Sequence, residues 1–412
     1  MGFDAIWISP VVENSDDGYH GYWAKNLSKI NPNFGSENEL ISLVDAAHSR
    51  NMTIMLDVVV NHMAPYIDNI QSYWPFNSPS HYHDCSPCPR TCDIGNFTEK
   101  IVLQHCRLAG LPDLNQENEF VGNTLISTYS ALFSRIKIDG IRMDTVPEVP
   151  NSYWRRFKSE AASDLFIIGE VSNGDVNFLK EYGSELDSVL SYPMFYAMRD
   201  VFQHKKPMNL LTRTIESYRQ VFPDKYNVLG NFVDNHDNAR FLNGLDDRKA
   251  LEASVVFSFL SDGIPIVYYG TEQYFSGGGD PLCREKLWKS DYDTSTRMYS
   301  LLRTMNTLRK HAELWKAKMT VLANSTNLFV FQKGHVVVAV TNSGEGGDTV
   351  SSEVSPVPFV RGEVVCDVFS KECLRVDEQG RLEINLENGQ SKVYVPKAMW
   401  NDVARMNTEN FA

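Results

Sequence analysis

Residues 53–62 read Thr-Ile-Met-Leu-Asp-Val-Val-Val-Asn-His. An almost unbroken apolar run over Thr53–Val60, ending in Asn61-His62, predicts a strand covered on both faces, as in a parallel sheet. Outward from it, comparable runs recur at Ala5–Ile8, Ile138–Met143, Phe166–Ile168, Val189–Leu190, Val228–Val233 and Ile264–Tyr268. Stretches of helical period lie between them. One starts at Ser36, with Glu39 completing a capping box and Leu40, Leu43, Val44 and Ala47 on one face. Another runs from about Ser152 with Trp154, Phe157 and Ala161, and a third carries Leu251, Val255 and Phe259 and stops before Gly263.

Seven parallel strands are one fewer than a closed (β/α)8 barrel needs. An open doubly wound sheet is the alternative. It would carry a Gly-rich phosphate turn after its first strand, and Pro10-Val-Val-Glu13 is not one. Two regions break the alternation. From His62 to about Phe120 the chain is rich in Pro, Asn, Ser and Cys without helical period, which predicts an inserted subdomain. After about Leu314 helices are expected to stop, and Val321–Phe331, Val336–Thr341, Val364–Phe369 and Leu382–Val395 read as antiparallel strands of a terminal β-domain.

The 412 residues carry 39 Lys+Arg against 52 Asp+Glu, a net charge of −13, which argues against nucleic acid or anionic lipid as partner. Apolar stretches such as the one around Val255–Leu260 break off well short of a membrane span. A neutral partner fits best. The opening Met-Gly-Phe-Asp-Ala-Ile-Trp-Ile-Ser-Pro lacks the basic start and cleavage site of a secretory signal, and reads as a strand already under way. The expectation is a chain that has lost its beginning.

Of seven cysteines, Cys85, Cys88, Cys92 and Cys106 cluster, Cys366 and Cys373 are close, and Cys283 is alone. A zinc site at Cys85-x-x-Cys88 needs further ligands at matched spacing, and His81, His83 and His105 are the histidines nearby. Disulfides are the stronger expectation, and the sequons at Asn26, Asn51, Asn96 and Asn324 lean toward the same oxidising, extracellular setting.

Strand ends carry the chemistry: Asp57 to His62, Gly140-Ile-Arg142-Met-Asp144, Ile168-Gly-Glu170 and Phe232-Val-Asp-Asn-His236-Asp237. Charged residues commonly end strands because strands surface there. That does not explain acids after successive apolar strands, one with Arg two residues earlier on the same side. Three convergent acids suit glycoside cleavage, which needs a nucleophilic carboxylate, a protonated acid, and negative charge beside an oxocarbenium-like transition state. A metal cluster would favour more histidines among the central ligands.

With Tyr19-His-Gly-Tyr-Trp23 and Asp280-x-x-x-Arg284, these motifs make the sequence resemble the α-amylase family of glycoside hydrolases, closest to the secreted fungal type. The resemblance implies a barrel lacking its first strand and helix (residues 1–61 and 121–314), a calcium-associated subdomain inserted after the third barrel strand (62–120), and a C-terminal antiparallel β-domain (315–412). It implies Asp144 as nucleophile, Glu170 as general acid/base and Asp237 as transition-state stabiliser. Arg142 would hold Asp144. His20, Tyr22, Trp23, His62, His236, Asp280 and Arg284 would line the sugar site, although Trp23 could equally pack beneath it. Calcium would be bound by Asn61, Asp113, the carbonyl of Glu148 and the position of Gln104, where the family has an acid. Cys92–Cys106 and Cys366–Cys373 would be disulfides. The partner would be an α-glucan or maltooligosaccharide, cleaved outside the cell by a monomer.

Besides the absent first strand and helix, the larger departure from the family, a second one follows Asp144. After Asp144-Thr-Val the fungal enzymes carry Lys-His, and here Pro147-Glu148 replaces them. Proline brings no donor and glutamate reverses the charge, so leaving-group binding should differ. The resemblance therefore implies α-1,4-glucan hydrolysis, with 4-α-glucanotransfer and non-catalytic glucan binding as rivals.

Overall fold

In the computed structural model, residues 1–65 and 67–409 are described; residue 66 of the expected inserted subdomain and residues 410–412 of the expected β-domain lie outside the described residues. The chain divides into two compact units. One comprises Phe3–Ser172 with Asn177–Leu190, and the other Ser191 onward with Met1–Gly2 and Asn173–Val176.

All seven expected parallel strands form. The first unit holds five, in the order Ala5–Ile8, Thr53–Val58, Gly140–Met143, Phe166–Gly169 and Ser188–Val189, each paired in parallel with its successor in the chain. A sheet that never reverses its order is wound one way round, as a barrel wall is, and has no switch point of the doubly wound kind. Ile54, Leu56, Val58, Ile141, Met143 and Ile167 are fully buried, which is why the strands read as continuous apolar runs.

The connecting helices follow their sequence signals. Glu37–His48 starts at Ser36, whose hydroxyl accepts from Glu39 N while Glu39 reaches back, a cap contributing about 1 kcal/mol. Leu40, Val44 and Ala47 face the core, but Leu43 is 46% exposed, so the apolar face is narrower than its spacing suggests. Asn151–Ala161 buries Trp154 and Phe157 completely.

The 62–120 excursion is mostly irregular, although the six-residue helix Lys100–His105 forms where no helical period was expected. The expected Cys92–Cys106 bridge is not made. Cys85 pairs with Cys92 and Cys88 with Cys106. With four cysteines in one stretch, spacing alone left the pairing undetermined.

The second unit contributes the parallel pair Gly230–Phe232 and Ile264–Ile266, and a six-stranded antiparallel sheet. The sheet runs Met319–Asn324, Leu328–Lys333, Val336–Thr341, Lys392–Pro396, Val364–Asp367, Cys373–Arg375. Val321–Phe331, expected as one strand, is therefore a hairpin broken at Ser325-Thr-Asn327. Leu382–Val395 is also two strands, split at Asn388-Gly389, both at positive φ. Val350–Val354, missed in the sequence, pairs with Leu382–Leu386. Cys366 and Cys373 close a hairpin as expected.

Helices do not stop at Leu314: Lys397–Glu409 forms a last one, burying Val403 and packing along Arg297–His311 through Thr307 Oγ1 and Asn407 Oδ1 at 2.9 Å. Asp262 pins this sheet to the loop before Ile264: Oδ1 accepts from Met319 N at 3.0 Å and lies 3.2 Å from Lys333 Nζ, which donates to the Ser261 carbonyl at 2.8 Å. Among the described residues no helix is long and apolar enough to cross a membrane.

Candidate active site

In the first unit, the sheet's own ladder places the acids. Asp57 and Arg142 are register partners on neighbouring strands. One residue beyond the strands, Asp144 N donates to Val58 O at 3.0 Å and Glu170 N to Met143 O at 2.8 Å, so both carboxylates are set by backbone bonds of buried strands. Gly169 lets Glu170 come close: a Cβ there would lie 2.5 Å from Leu186 Cδ1 and 2.9 Å from Val146 Cγ2.

One guanidinium serves three acids. Arg142 Nη1 is 2.9 Å from Asp57 Oδ1 and 2.5 Å from Asp144 Oδ1, and Nη2 is 2.9 Å from Glu170 Oε2. Arg142 is buried, and its planar fork fixes the acids relative to one another. Thr145, held at φ 46, turns its hydroxyl to Asp144 Oδ2 at 3.0 Å and its N–H to Glu170 Oε2 at 3.2 Å. A non-glycine residue in the left-handed region costs energy, and here it serves both carboxylates.

Asp57 accepts further from Tyr22 OH at 2.7 Å and Trp7 Nε1 at 3.1 Å. Burial pushes its carboxyl up to about 7, with Asp144 adding and Arg142 and Tyr22 opposing. Three carboxyl groups around one cation thus retain a proton near neutrality. His62 is pushed down to about 4 by burial, so it is a neutral imidazole, and its Nε2–H donates to the Tyr22 carbonyl at 3.1 Å. His20 Nδ1 accepts from Tyr22 N at 3.0 Å and its ring meets Trp23 edge-on at 4.9 Å. Trp23 is half-buried.

Asp57 and Trp7 were absent from the sequence-derived site. Asp57 had a usable signal: a charge inside a buried apolar run must be paired. Trp7 had none.

The expected calcium ligands also meet in this unit. One end of the buried Asn61 amide lies 3.1 Å from both Asp113 Oδ1 and the Glu148 carbonyl oxygen, and the other lies 3.3 Å from His62 Nδ1. With its nitrogen inward, Asn61 satisfies both acceptors by itself. With its oxygen inward, three oxygens converge without a proton between them, the donor set a hard cation takes. Gln104 is buried and donates Nε2 to the Val149 carbonyl at 3.4 Å. Burial, then repulsion from Glu170, pushes the Glu148 carboxyl up to about 8, so this side chain is largely neutral at pH 7.

In the second unit, Asp237 has a half-exposed carboxylate, with His236 Nε2 3.3 Å from Oδ2 and Arg284 Nη2 3.7 Å from Oδ1. Arg284 also pairs with Asp280. The four residues expected here form one cluster.

Arginine-braced carboxylates at the ends of singly wound parallel strands are equipped for acid/base and nucleophilic attack on an acetal. Comparison with known proteins agrees. The model of the α-amylase catalytic domain matches residues 1–298 and that of α-amylase domain C matches residues 321–404. Alpha-amylase 1 of Schwanniomyces occidentalis is 33% identical over 424 residues, covering 97% of this chain and 81% of that protein. The α-amylase of Saccharomycopsis fibuligera is 33% identical over 423 residues, covering 98% and 83%. The solved α-amylase of Malbranchea cinnamomea has a TM-score of 0.90 at 32% identity, covering 97% of this chain and 87% of that one. That of Geobacillus thermoleovorans, complexed with acarbose, has a TM-score of 0.83 at 29% identity, covering 95% and 88%. The chain belongs to the α-amylase family of glycoside hydrolases, whose fold is a (β/α)8 barrel with a C-terminal β-domain.

Proposed function

We propose that this chain is a retaining endo-hydrolase of α-1,4-glucosidic bonds in starch-like glucans, with Asp144 as nucleophile, Glu170 as acid/base and Asp237 as the third acid. The observation that carries the assignment is the Arg142 fork, whose Nη1 and Nη2 hold Asp144 and Glu170 at 2.5 and 2.9 Å. Sharing one guanidinium brings the two carboxyl groups close, which favours the arrangement of retaining enzymes, roughly 5–5.5 Å, over the roughly 6.5–9.5 Å of inverting ones. Ion-paired Asp144 attacks the anomeric carbon. Glu170 delivers its proton to the leaving oxygen, then takes one from the water that frees the sugar. Asp237 contributes negative charge to the oxocarbenium-like transition state. Tyr22 and His62, with His20 and Trp23, orient the ring; in the second unit His236, Asp280 and Arg284 are the further sugar-binding residues.

Calcium would be held by Asn61, Asp113 and the Glu148 carbonyl beside Gln104, and would supply a fixed charge tying the 62–120 subdomain to the strand ends. Glu148, neutral and next to a proline, supports altered leaving-group contacts. Three disulfides support an extracellular setting. Neither glucanotransfer nor mere binding has a feature in its favour over hydrolysis. The test is reducing-end release from soluble starch with the product anomer followed by NMR. Initial α-anomers support the mechanism; β-anomers or an inert folded protein would overturn it.

A further inference from the structure

Behind Asp113, on the side away from Asn61, lies a second constellation. His83 Nδ1 is 2.6 Å from Asp113 Oδ2, and the His83 side chain is 5% exposed. A proton donated from Nδ1 to the carboxylate leaves Nε2 with its lone pair. That Nε2 is buried and meets no hydrogen-bond partner among the described residues. Two further donor groups lie close by. The His105 ring lies 4.3 Å from that of His83, and His105 Nε2 is 3.8 Å from Glu117 Oε2. One donor atom from each of His83, His105 and Glu117 lies within 4.8 Å of the others.

We propose that His83, His105 and Glu117 form a binding site for a borderline divalent cation, zinc in the first instance, oriented from behind by Asp113. Two imidazoles and a carboxylate are the donor set of a three-ligand zinc site with a fourth position open to water. They suit calcium poorly, since a hard cation takes oxygen ligands. A histidine that gives its outer N–H to a carboxylate and turns the other nitrogen inward has the orientation found behind metal ligands generally. Asp113 and His83 have that relation, and it explains why a buried ring nitrogen is left without a protein partner. Bonds of about 2.0–2.1 Å place tetrahedral donors roughly 3.3 Å apart, so binding requires a modest contraction. The side chains that must move are the accessible ones, His105 at 24% and Glu117 at 61% exposure, while His83 stays fixed.

The local covalent structure favours this closure. His83 precedes the Cys85–Cys92 bridge by two residues, and His105 directly precedes Cys106, which is tied to Cys88. The cysteines that might have bound the metal thus bring together the histidines that do. The site also meets the expected calcium cage at one residue, Asp113, which offers Oδ1 to one and Oδ2 to the other. Zinc on His83 would polarise the Nδ1–H toward Asp113 and help hold that carboxyl group in line.

The test uses the full chain with disulfides intact, stripped of metal and returned to excess calcium, then titrated with zinc against a chromophoric chelator. One zinc per chain is expected. His105→Ala and Glu117→Gln, at accessible positions, should each weaken binding by at least about tenfold. Cobalt added in place of zinc should give a visible d–d spectrum that both variants lose. The inference is overturned if no stoichiometric zinc binds in excess calcium, or if it binds equally well to His105→Ala.

Discussion

Asp57 and Arg142 face each other across neighbouring strands, and the guanidinium Nη1 approaches Asp57 Oδ1 to 2.9 Å while also reaching Asp144. Asp57 thus holds, from the neighbouring strand, the arginine that holds Asp144 and Glu170.

Arg142→Lys keeps the charge but replaces a planar fork by one ammonium, which cannot serve three carboxylates at once. A fall in kcat of about 10²–10³-fold with a near-normal Tm is expected. Steady-state kinetics on a maltooligosaccharide, with a melting curve, would decide; a loss below tenfold would show that the fork is dispensable.

Glu170→Gln removes the proton donor without changing shape. Starch hydrolysis should drop by about 10²–10⁴-fold. An aryl glycoside whose leaving group needs no proton should lose far less in its first step. Equal losses on both substrates would count against the acid role.

Asp57 provides the pH signature. Its folded value, about 7, is above the ordinary 3.8, so between these the folded chain holds a proton that the unfolded chain has released. The stabilisation is complete below the unfolded value and is lost as pH rises through about 7, at up to about 1.4 kcal/mol per unit crossed. Asp57→Asn cannot titrate, so its Tm should fall less than wild type between pH 5 and 8. Parallel Tm profiles would refute the assignment.

Chelation with EGTA should lower Tm, since a ligand at a hundred times its Kd stabilises by about 2.7 kcal/mol. In Asn61→Ala, which leaves Asp113 and the Glu148 carbonyl without the third oxygen, the calcium-dependent part of the shift should vanish. A chelator effect of the same size in that variant would place calcium elsewhere.

The parallel strands and their terminal acids were legible because a buried strand is written as an apolar run and its chemistry follows within two residues. Arg142 and Asp144 could be put on one side of a strand from alternation alone. Asp57 lies in a legible motif but does not declare itself part of the site, since nothing local shows that its partner is on the next strand. The terminal sheet was harder. The hairpin breaks at Ser325 and Asn388 do carry a local signal, the polar stretches 324–327 and 387–392, whereas Val350–Val354 is too polar to read as a strand. The pairing of Cys85 with Cys92 depends on a loop's path, which spacing does not encode.

Asp262, Lys333 and Met319 have a bearing on how such genes can be recombined. Lys333 is 2% exposed, and its ammonium is satisfied by Asp262 and the Ser261 carbonyl, both contributed by the loop ahead of Ile264. A protein cut before Met319 would leave Asp262 paired with Arg219 at 3.2 Å but without the ammonium and without one backbone donor. Exchange of tail sequences between homologous genes would then succeed when the crossover falls upstream of residue 261, carrying loop and strand together. A junction placed between them would separate Asp262 from the lysine and the backbone donor it is matched to.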